Sequence, residues 1–167
     1  LSLNENPPKE HALFLTNGSE LTIIRETVPK EKLDEYLKEW IYNLIFNTPH
    51  IIPQLTKNEL TLRIKDGNTA LHLAISNNHT DIVKALVAEM SKEDLSLTNN
   101  GDTALHLAAI NGYAEIAQLL IEEGADPSLA NKDNKTALFL AVDHGKRDIV
   151  RLLIDAAQNI NRDTALH

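Results

Sequence analysis

The sequence predicts an all-α solenoid in which helix–turn–helix repeats of about 33 residues stack side by side. Two observations predict this fold. The tripeptide T-A-L recurs at spacings of 34, 33 and 28 residues, beginning at Thr69, Thr103, Thr136 and Thr164. Each of the first three copies also opens a helix pair whose apolar stripe cannot be buried by that pair alone. Neighbouring repeats must therefore stack on one another.

Each predicted repeat opens with a tight turn and a short helix. The turns use residue types that tolerate positive φ, namely Asp66-Gly67, Asn100-Gly101 and Asp133-Asn134. The threonine after each turn can cap the helix start, and nine residues later the helix is ended by Asn78, Gly112 or Gly145. A second helix follows, whose apolar stripe in the middle repeat comprises Ile116, Ala117, Leu119 and Leu120.

The three copies begin DGNTALHLA, NGDTALHLA and DNKTALFLA, and over residues 66–163 they closely resemble the ankyrin repeat. The resemblance implies stacked helix pairs with hairpin loops projecting from one edge, and a function in protein–protein recognition. The third copy departs from the family pattern. Phe139 stands where the other copies have His72 and His106, so the third repeat should lack the family's Thr–His hydrogen bonding.

Outside the three repeats, the sequence predicts three further segments. Residues 1–30 form an arm or a short β-hairpin around Asn17-Gly18. Residues 31–65 form a divergent helical capping repeat with Trp40 at the junction, or alternatively an independent interaction surface. A short helix should begin at Thr48-Pro49 and reach about Leu55, and MSKEDLSL should add a helical turn to the first repeat. Residues 164–167 are the start of a truncated further repeat.

The charge and the absence of cysteine limit the partners and the compartment. The formal net charge is −8, and most of it falls in residues 66–167, which hold 15 acidic and 8 basic side chains. Such an array repels nucleic acid and anionic membrane surfaces, so we expect a partner protein with a basic surface, unless the carboxylates serve solubility alone. With no cysteine, the chain suits a reducing compartment such as the cytoplasm. We expect a monomer.

Catalytic and metal-binding patterns are missing from the sequence. It contains no H-E-x-x-H, no glycine-rich phosphate loop and no G-x-S-x-G. The family resemblance gives His72 and His106 internal hydrogen bonds rather than a role as ligands. We therefore predict no catalytic residue, no metal site and no cofactor, and a chain that is not an enzyme.

The resemblance implies a partner-binding surface made of hairpin tips and of the exposed ends of the first helices. The hairpin positions are Lys65, Asp66, Asn68, Asn99, Asn100, Asp102, Lys132, Asp133 and Lys135. The positions at the helix ends are Ser76, Asn77, Ile110, Asn111, Asp143 and His144. Tyr113, which follows the turn glycine, either packs internally or extends the binding surface. Ile110 is the candidate apolar anchor of this concave surface. The alternative is that each of these residues is an ordinary solvated loop residue with no role in binding.

Two alternatives to a simple binding module stay open at this point. The chain can be a targeting or substrate-recruiting region of a larger multidomain enzyme or of a secreted bacterial effector, which would act in the host cytoplasm. A purely structural spacer is the weaker alternative, and it would bind no partner at all.

Overall fold

The computed structural model describes residue 38, residues 41–43 and 45–47, and residues 49–165, with side chains described through residue 159. The chain divides into two compact units, Leu1–Ala70 and Leu71–His167, and each is described by itself. The hairpin predicted for residues 1–30 and the packing predicted for Trp40 lie outside the described residues.

The described part of the N-terminal unit is mainly helical up to Leu60 and then contains the first hairpin. Residues 41–43 and 45–47 are helical, and Ile41 and Ile45 are fully buried. The short helix predicted to follow them is present, but it is a 3-10 helix, Pro49–Gln54, rather than an α-helix. Pro53 lies within it and cannot donate a backbone hydrogen bond. This segment nevertheless buries Ile51 and Ile52.

Helix α1 (Lys57–Leu60) is a single turn held by a capping box. The Thr56 side chain accepts a hydrogen bond from the Glu59 backbone N–H at 3.3 Å, and the Glu59 carboxylate accepts one from the Thr56 N–H at 2.8 Å. These two bonds satisfy donors at the helix start that have no partner inside the helix.

The helices that follow come in pairs. The first pair is α2 (Ala70–Ser76) and α3 (Thr80–Ala88), and the single turn α4 (Lys92–Leu95) follows it. The second pair is α5 (Ala104–Asn111) and α6 (Ala114–Glu122), and the third is α7 (Ala137–Asp143) and α8 (Arg147–Ala165). Helix α4 confirms the extra turn predicted in MSKEDLSL, and Ser91 and Asp94 form its capping box.

The helix pairs of the C-terminal unit stack in register. Helix α5 packs on α7, α6 packs on α8, and α3 packs on α6. The predicted stripes supply the core, and their fully or nearly fully buried residues are Ile82, Val83, Leu86, Val87, Ile116, Ala117, Leu120, Ile149 and Leu153. At the surface, the Lys84 ammonium lies 3.4 Å from the Glu115 carboxylate, a solvated ion pair worth at most about 1 kcal/mol.

The predicted helix stops adopt the left-handed backbone. The φ angles are 55° at Asn78, 76° at Gly112 and 68° at Gly145. Asparagine and glycine are the residues that tolerate this region best, which explains their place at each first-helix end. The last residues of α8 include Thr164 and Ala165, so this part of the fourth T-A-L is helical here.

The middle repeat has the complete Thr–His arrangement. The Thr103 side chain accepts from the His106 backbone N–H at 3.3 Å, and the Thr103 N–H donates to His106 Nδ1 at 3.1 Å. In the third repeat Thr136 still accepts from the Phe139 N–H at 3.2 Å, but the phenyl ring offers no return bond. The predicted loss of Thr–His bonding in that repeat is confirmed.

Replacing Gly112 should expose the cost of its backbone conformation. A Cβ there would lie 2.8 Å from Lys146 Cδ, which is the far end of a flexible side chain and can move. We therefore expect Gly112→Ala to lose about 1–2 kcal/mol of unfolding free energy through left-handed strain. Gly112→Asn should lose clearly less, because Asn78 holds the same conformation in the preceding repeat. Equal losses in urea unfolding would show that the Lys146 contact, not the backbone, sets the cost.

Replacing His106 tests the polar link inside the stack. His106→Phe keeps a ring of similar size but leaves the Thr103 N–H without its acceptor in a buried place. We expect a loss of about 1–3 kcal/mol of unfolding free energy for that group. Phe139→His at the equivalent exposed position is the matched control and should change stability little. Similar effects of both substitutions in urea unfolding would contradict this account.

Candidate functional site

The second hairpin, residues 99–102, is a two-residue turn. Asn100 and Gly101 both have positive φ, 53° and 87°, and Asn99 and Asp102 exchange two backbone hydrogen bonds of 3.0 and 3.1 Å. Positive φ at both central positions is the geometry that Asn-Gly favours. The tip is therefore closed by the backbone itself.

The third hairpin, residues 131–135, is one residue longer than the second. The turn predicted at Asp133-Asn134 is present, but it differs from the second hairpin because only Asn134 has positive φ, at 63°. The Asn131 N–H donates to the Lys135 carbonyl at 2.9 Å, and the Asn131 side-chain oxygen accepts from the N–H groups of Asp133 and Lys135. A side chain thus closes the longer loop, as asparagine does in turns.

The second and third hairpins are bonded to each other. The Asn131 amide donates to the Asp102 carboxylate at 3.0 Å. Below the tips, buried His106 lies with Nε2 3.0 Å from the Lys135 carbonyl. Because Nδ1 accepts from the Thr103 N–H, Nε2 carries the proton and donates to this carbonyl. Lys132 also lies over the second tip, since a Cβ on Gly101 would be 3.0 Å from its side chain.

Three predicted site residues end the first helices and bond internally. The side-chain amides of Asn77 and Asn111 donate to the carbonyls of Leu73 and Leu107 at 2.9 and 2.8 Å. His144 Nδ1 lies 2.8 Å from the Leu140 carbonyl at the equivalent place. These side chains add a hydrogen bond to carbonyls in the last turn of each helix, and the carbonyls of Leu73 and Leu140 also accept the backbone N–H groups of Asn77 and His144. Substituting them would therefore disturb the fold as well as any contact.

The residues directly before these three are Ser76, Ile110 and Asp143. They occupy equivalent positions in the three repeats and form a row. Ser76 and Asp143 are exposed, and Ile110 between them in the repeat order is half-buried. Ile110 is thus an apolar side chain at a position where the neighbouring repeats carry polar ones. Tyr113, at the start of α6, is half-buried and makes no side-chain cap.

None of the predicted partner-binding residues is buried. The exposed ones are Lys65, Asp66, Ser76, Asn77, Asn100, Asn111, Lys132, Asp133, Asp143 and His144. The half-buried ones are Asn68, Asn99, Asp102, Ile110, Tyr113 and Lys135. Of these, the structure brings together those on the second and third hairpins, through the bonds of Asp102 and Lys135.

The first hairpin belongs to the N-terminal unit. Asp66 has a φ of 53°, and Asn68 and Lys65 pair across the turn with an Asn68 N–H to Lys65 carbonyl bond of 2.8 Å. The Lys65 ammonium lies 5.9 Å from the centre of the Tyr42 ring, within the range of a cation–π interaction. Lys65 therefore has a partner in its own unit.

Sequence reasoning missed two kinds of residue. Asn131 holds the third hairpin and joins it to the second, and the available signal was the extra residue between this asparagine and Thr136. Phe139 and Val142 are large apolar side chains with exposed fractions of 51% and 61%. The sequence marks Phe139 only as a departure from the family pattern.

Within the described residues, no group of three His, Cys, Asp or Glu side chains is placed to hold a metal ion. Every helix in the described part of the chain is too short or too polar to cross a bilayer.

Comparison with models of known protein families identifies the family of the chain. A family model of ankyrin repeats in three copies matches residues 41–131, and a single ankyrin-repeat model matches residues 133–165. The chain therefore belongs to the ankyrin-repeat family, whose repeats are generally protein–protein interaction modules. The first match includes much of the segment that the sequence marked as divergent. No curated protein matches the chain.

One carboxyl group in the loop after α6 has a shifted pKa. The Asp126 carboxylate accepts from the Ser128 hydroxyl at 2.6 Å and from the Ser128 N–H at 2.9 Å, and these bonds lower the pKa of Asp126 below 3.8. Ser128→Ala should raise this pKa toward 3.8, measured by NMR titration of the carboxyl carbon.

The sign of the effect on stability follows from that shift. Because the folded-state pKa is the lower one, the bonds stabilise the fold above the unfolded-state pKa, and this contribution is lost as the pH falls through the folded-state value. The variant should therefore lose less stability on acidification. An unchanged Asp126 titration in the variant would show that the backbone N–H alone sets the shift.

Proposed function

We propose that this protein binds a partner protein through one surface of its C-terminal unit. The surface comprises the second and third hairpins and the row formed by Ser76, Ile110 and Asp143. The observation that carries the proposal is the position of Ile110, a half-exposed apolar side chain in a row that is otherwise polar. Side chains of this kind, surrounded by polar neighbours, supply much of the energy of protein interfaces.

The hydrogen bonds of the tips support the same proposal. Asn131 links the third hairpin to Asp102 of the second, and His106 fixes the Lys135 carbonyl beneath them. A surface that is already ordered loses little conformational entropy on binding, so its contacts convert more fully into affinity. The exposed tip residues Asn100, Lys132 and Asp133 are then left to contact the partner.

The charge favours a partner with a basic surface. Residues 66–167 hold 15 acidic and 8 basic side chains, and an excess of this sign speeds encounter with a cationic protein. The cysteine-free composition suits a reducing compartment, and we place the interaction in the cytoplasm. Residues of the first hairpin remain predicted contacts on sequence grounds.

Ile110→Ser is the substitution that tests the surface. Serine occupies the equivalent position, residue 76, so the repeat fold accepts it. Proteins captured from lysate by the native chain would be identified, purified and titrated by calorimetry. We expect Ile110→Ser to weaken the complex by about 30-fold or more, as for a central interface residue. Asn111 is unsuitable for this purpose because its amide caps α5.

Ala88→Ser on α3 is the matched control, since Ala88 is exposed and lies outside the row. Both variants should retain the native melting temperature to within a few degrees. Equal affinity of the native chain and Ile110→Ser would remove the row from the binding surface. Failure to capture any protein specifically would favour the spacer hypothesis over a binding module.

A further inference from the structure

The groove between α6 and α8 carries carboxylates on both of its walls. It has a volume of about 720 Å³ and lies between the second helices of two consecutive repeats. Glu115 and Glu122 line it from α6, and Asp148 and Asp155 line it from α8. All four side chains are exposed. In each helix the two carboxylates are about two turns apart, so the walls present negative charge at two matching levels.

Apolar side chains line the groove between these carboxylates. Ala114 and Ile121 contribute from α6, and Leu152 and Ala156 contribute from α8. All four are half-buried, so each retains apolar surface that water contacts. An apolar groove of this kind, bordered by charge, suits the apolar face of an amphipathic helix.

The preceding repeat holds an ammonium group at the equivalent place. The Lys84 ammonium of α3 lies 3.4 Å from the Glu115 carboxylate of α6. In the repeat order, Gln118 corresponds to Lys84 and Asp148 corresponds to Glu115. Gln118 is uncharged, and its amide donates to the Glu122 carboxylate of its own helix at 2.7 Å. The chain therefore supplies a lysine to the first of these two carboxylate positions and a glutamine to the second.

We propose that the α6–α8 groove binds a basic amphipathic helix of a partner protein. A lysine or arginine of that helix pairs with Asp148 as Lys84 pairs with Glu115. A second cation, two turns along the partner helix, pairs with Asp155 at the other level of the groove. The apolar side chains between the two cations pack on the half-buried surface of Leu152 and its apolar neighbours.

The charge balance of the groove favours a basic occupant. Four carboxylates line it, and Arg151 is the basic residue among its lining side chains. With Lys84 beside Glu115 counted as well, four negative charges face two positive ones. Complementary charge of this kind attracts a cationic helix and repels an acidic one. The groove shares no residue with the row of Ser76, Ile110 and Asp143, so this second binding surface goes beyond the proposed function.

A synthetic peptide titrated against the full chain by fluorescence anisotropy tests the proposal. The peptide is a helix with two lysines spaced by two turns and with leucines on the same face between them. A scrambled peptide of identical composition and net charge is the control. We expect saturable binding of the designed peptide and much weaker binding of the scrambled one. Replacing the leucines by serine should weaken binding by about 10-fold or more, because their apolar surface is no longer buried.

Two variants of the chain test the role of Asp148. Asp148→Asn should weaken binding of the designed peptide by about 3- to 5-fold, as for an exposed ion pair. Gln118→Lys should also weaken it, because the introduced ammonium pairs with Asp148 as Lys84 pairs with Glu115. Asp81→Asn is the matched control, since Asp81 is exposed in the first turn of α3 and removes the same charge outside the groove.

The outcomes separate recognition in the groove from attraction by net charge. Circular dichroism and melting temperature would confirm that each variant folds. Equal loss of affinity in Asp81→Asn and Asp148→Asn would overturn the proposal, as would equal binding of the two peptides or no saturable binding of the designed one. Undiminished binding by Gln118→Lys would also contradict it. Ile110→Ser should bind the designed peptide like the native chain, so failure of this proposal is distinct from failure of the partner-binding row.

Discussion

The hydrogen bonds of buried His106 connect the start of its own helix to the hairpin of the next repeat. One ring nitrogen accepts from the Thr103 backbone, and the other donates to the Lys135 carbonyl. Burying an imidazole costs free energy unless both ring nitrogens have hydrogen-bond partners. The His106 ring has both partners only when the two repeats are in register. The stacking of α7 on α5 and the position of the third hairpin both depend on this register.

Most of the fold could be predicted from the sequence because its determinants are local. Asn78 and Gly112 end helices through the backbone conformations they tolerate, and the stripe around Ile116 fixes which side of α6 is buried. The capping box of Ser91 and Asp94 is likewise set by residues three apart. Each of these features needs only a few neighbouring residues and the period of the repeat to be recognised.

The candidate site was less predictable because it depends on contacts between repeats. The sequence predicts Asp102 as a hairpin residue that contacts the partner, and the structure adds that its carboxylate accepts a bond from Asn131, 29 residues away. The sequence also predicts Asn111 as a candidate contact, whereas its amide also serves the end of α5. The exposure of Val142 likewise depends on whether another element packs on α7. The residues next to Val142 in the sequence do not reveal this.

The third hairpin shows how the repeat absorbs a change in length. Its additional residue is held within the loop by the Asn131 side chain, and the helices that follow keep their packing on α5 and α6. Insertions at a tip can therefore arise without a compensating change in the hydrophobic core. In evolution or in engineering, loop length and composition can then be varied to alter recognition while the scaffold is inherited intact.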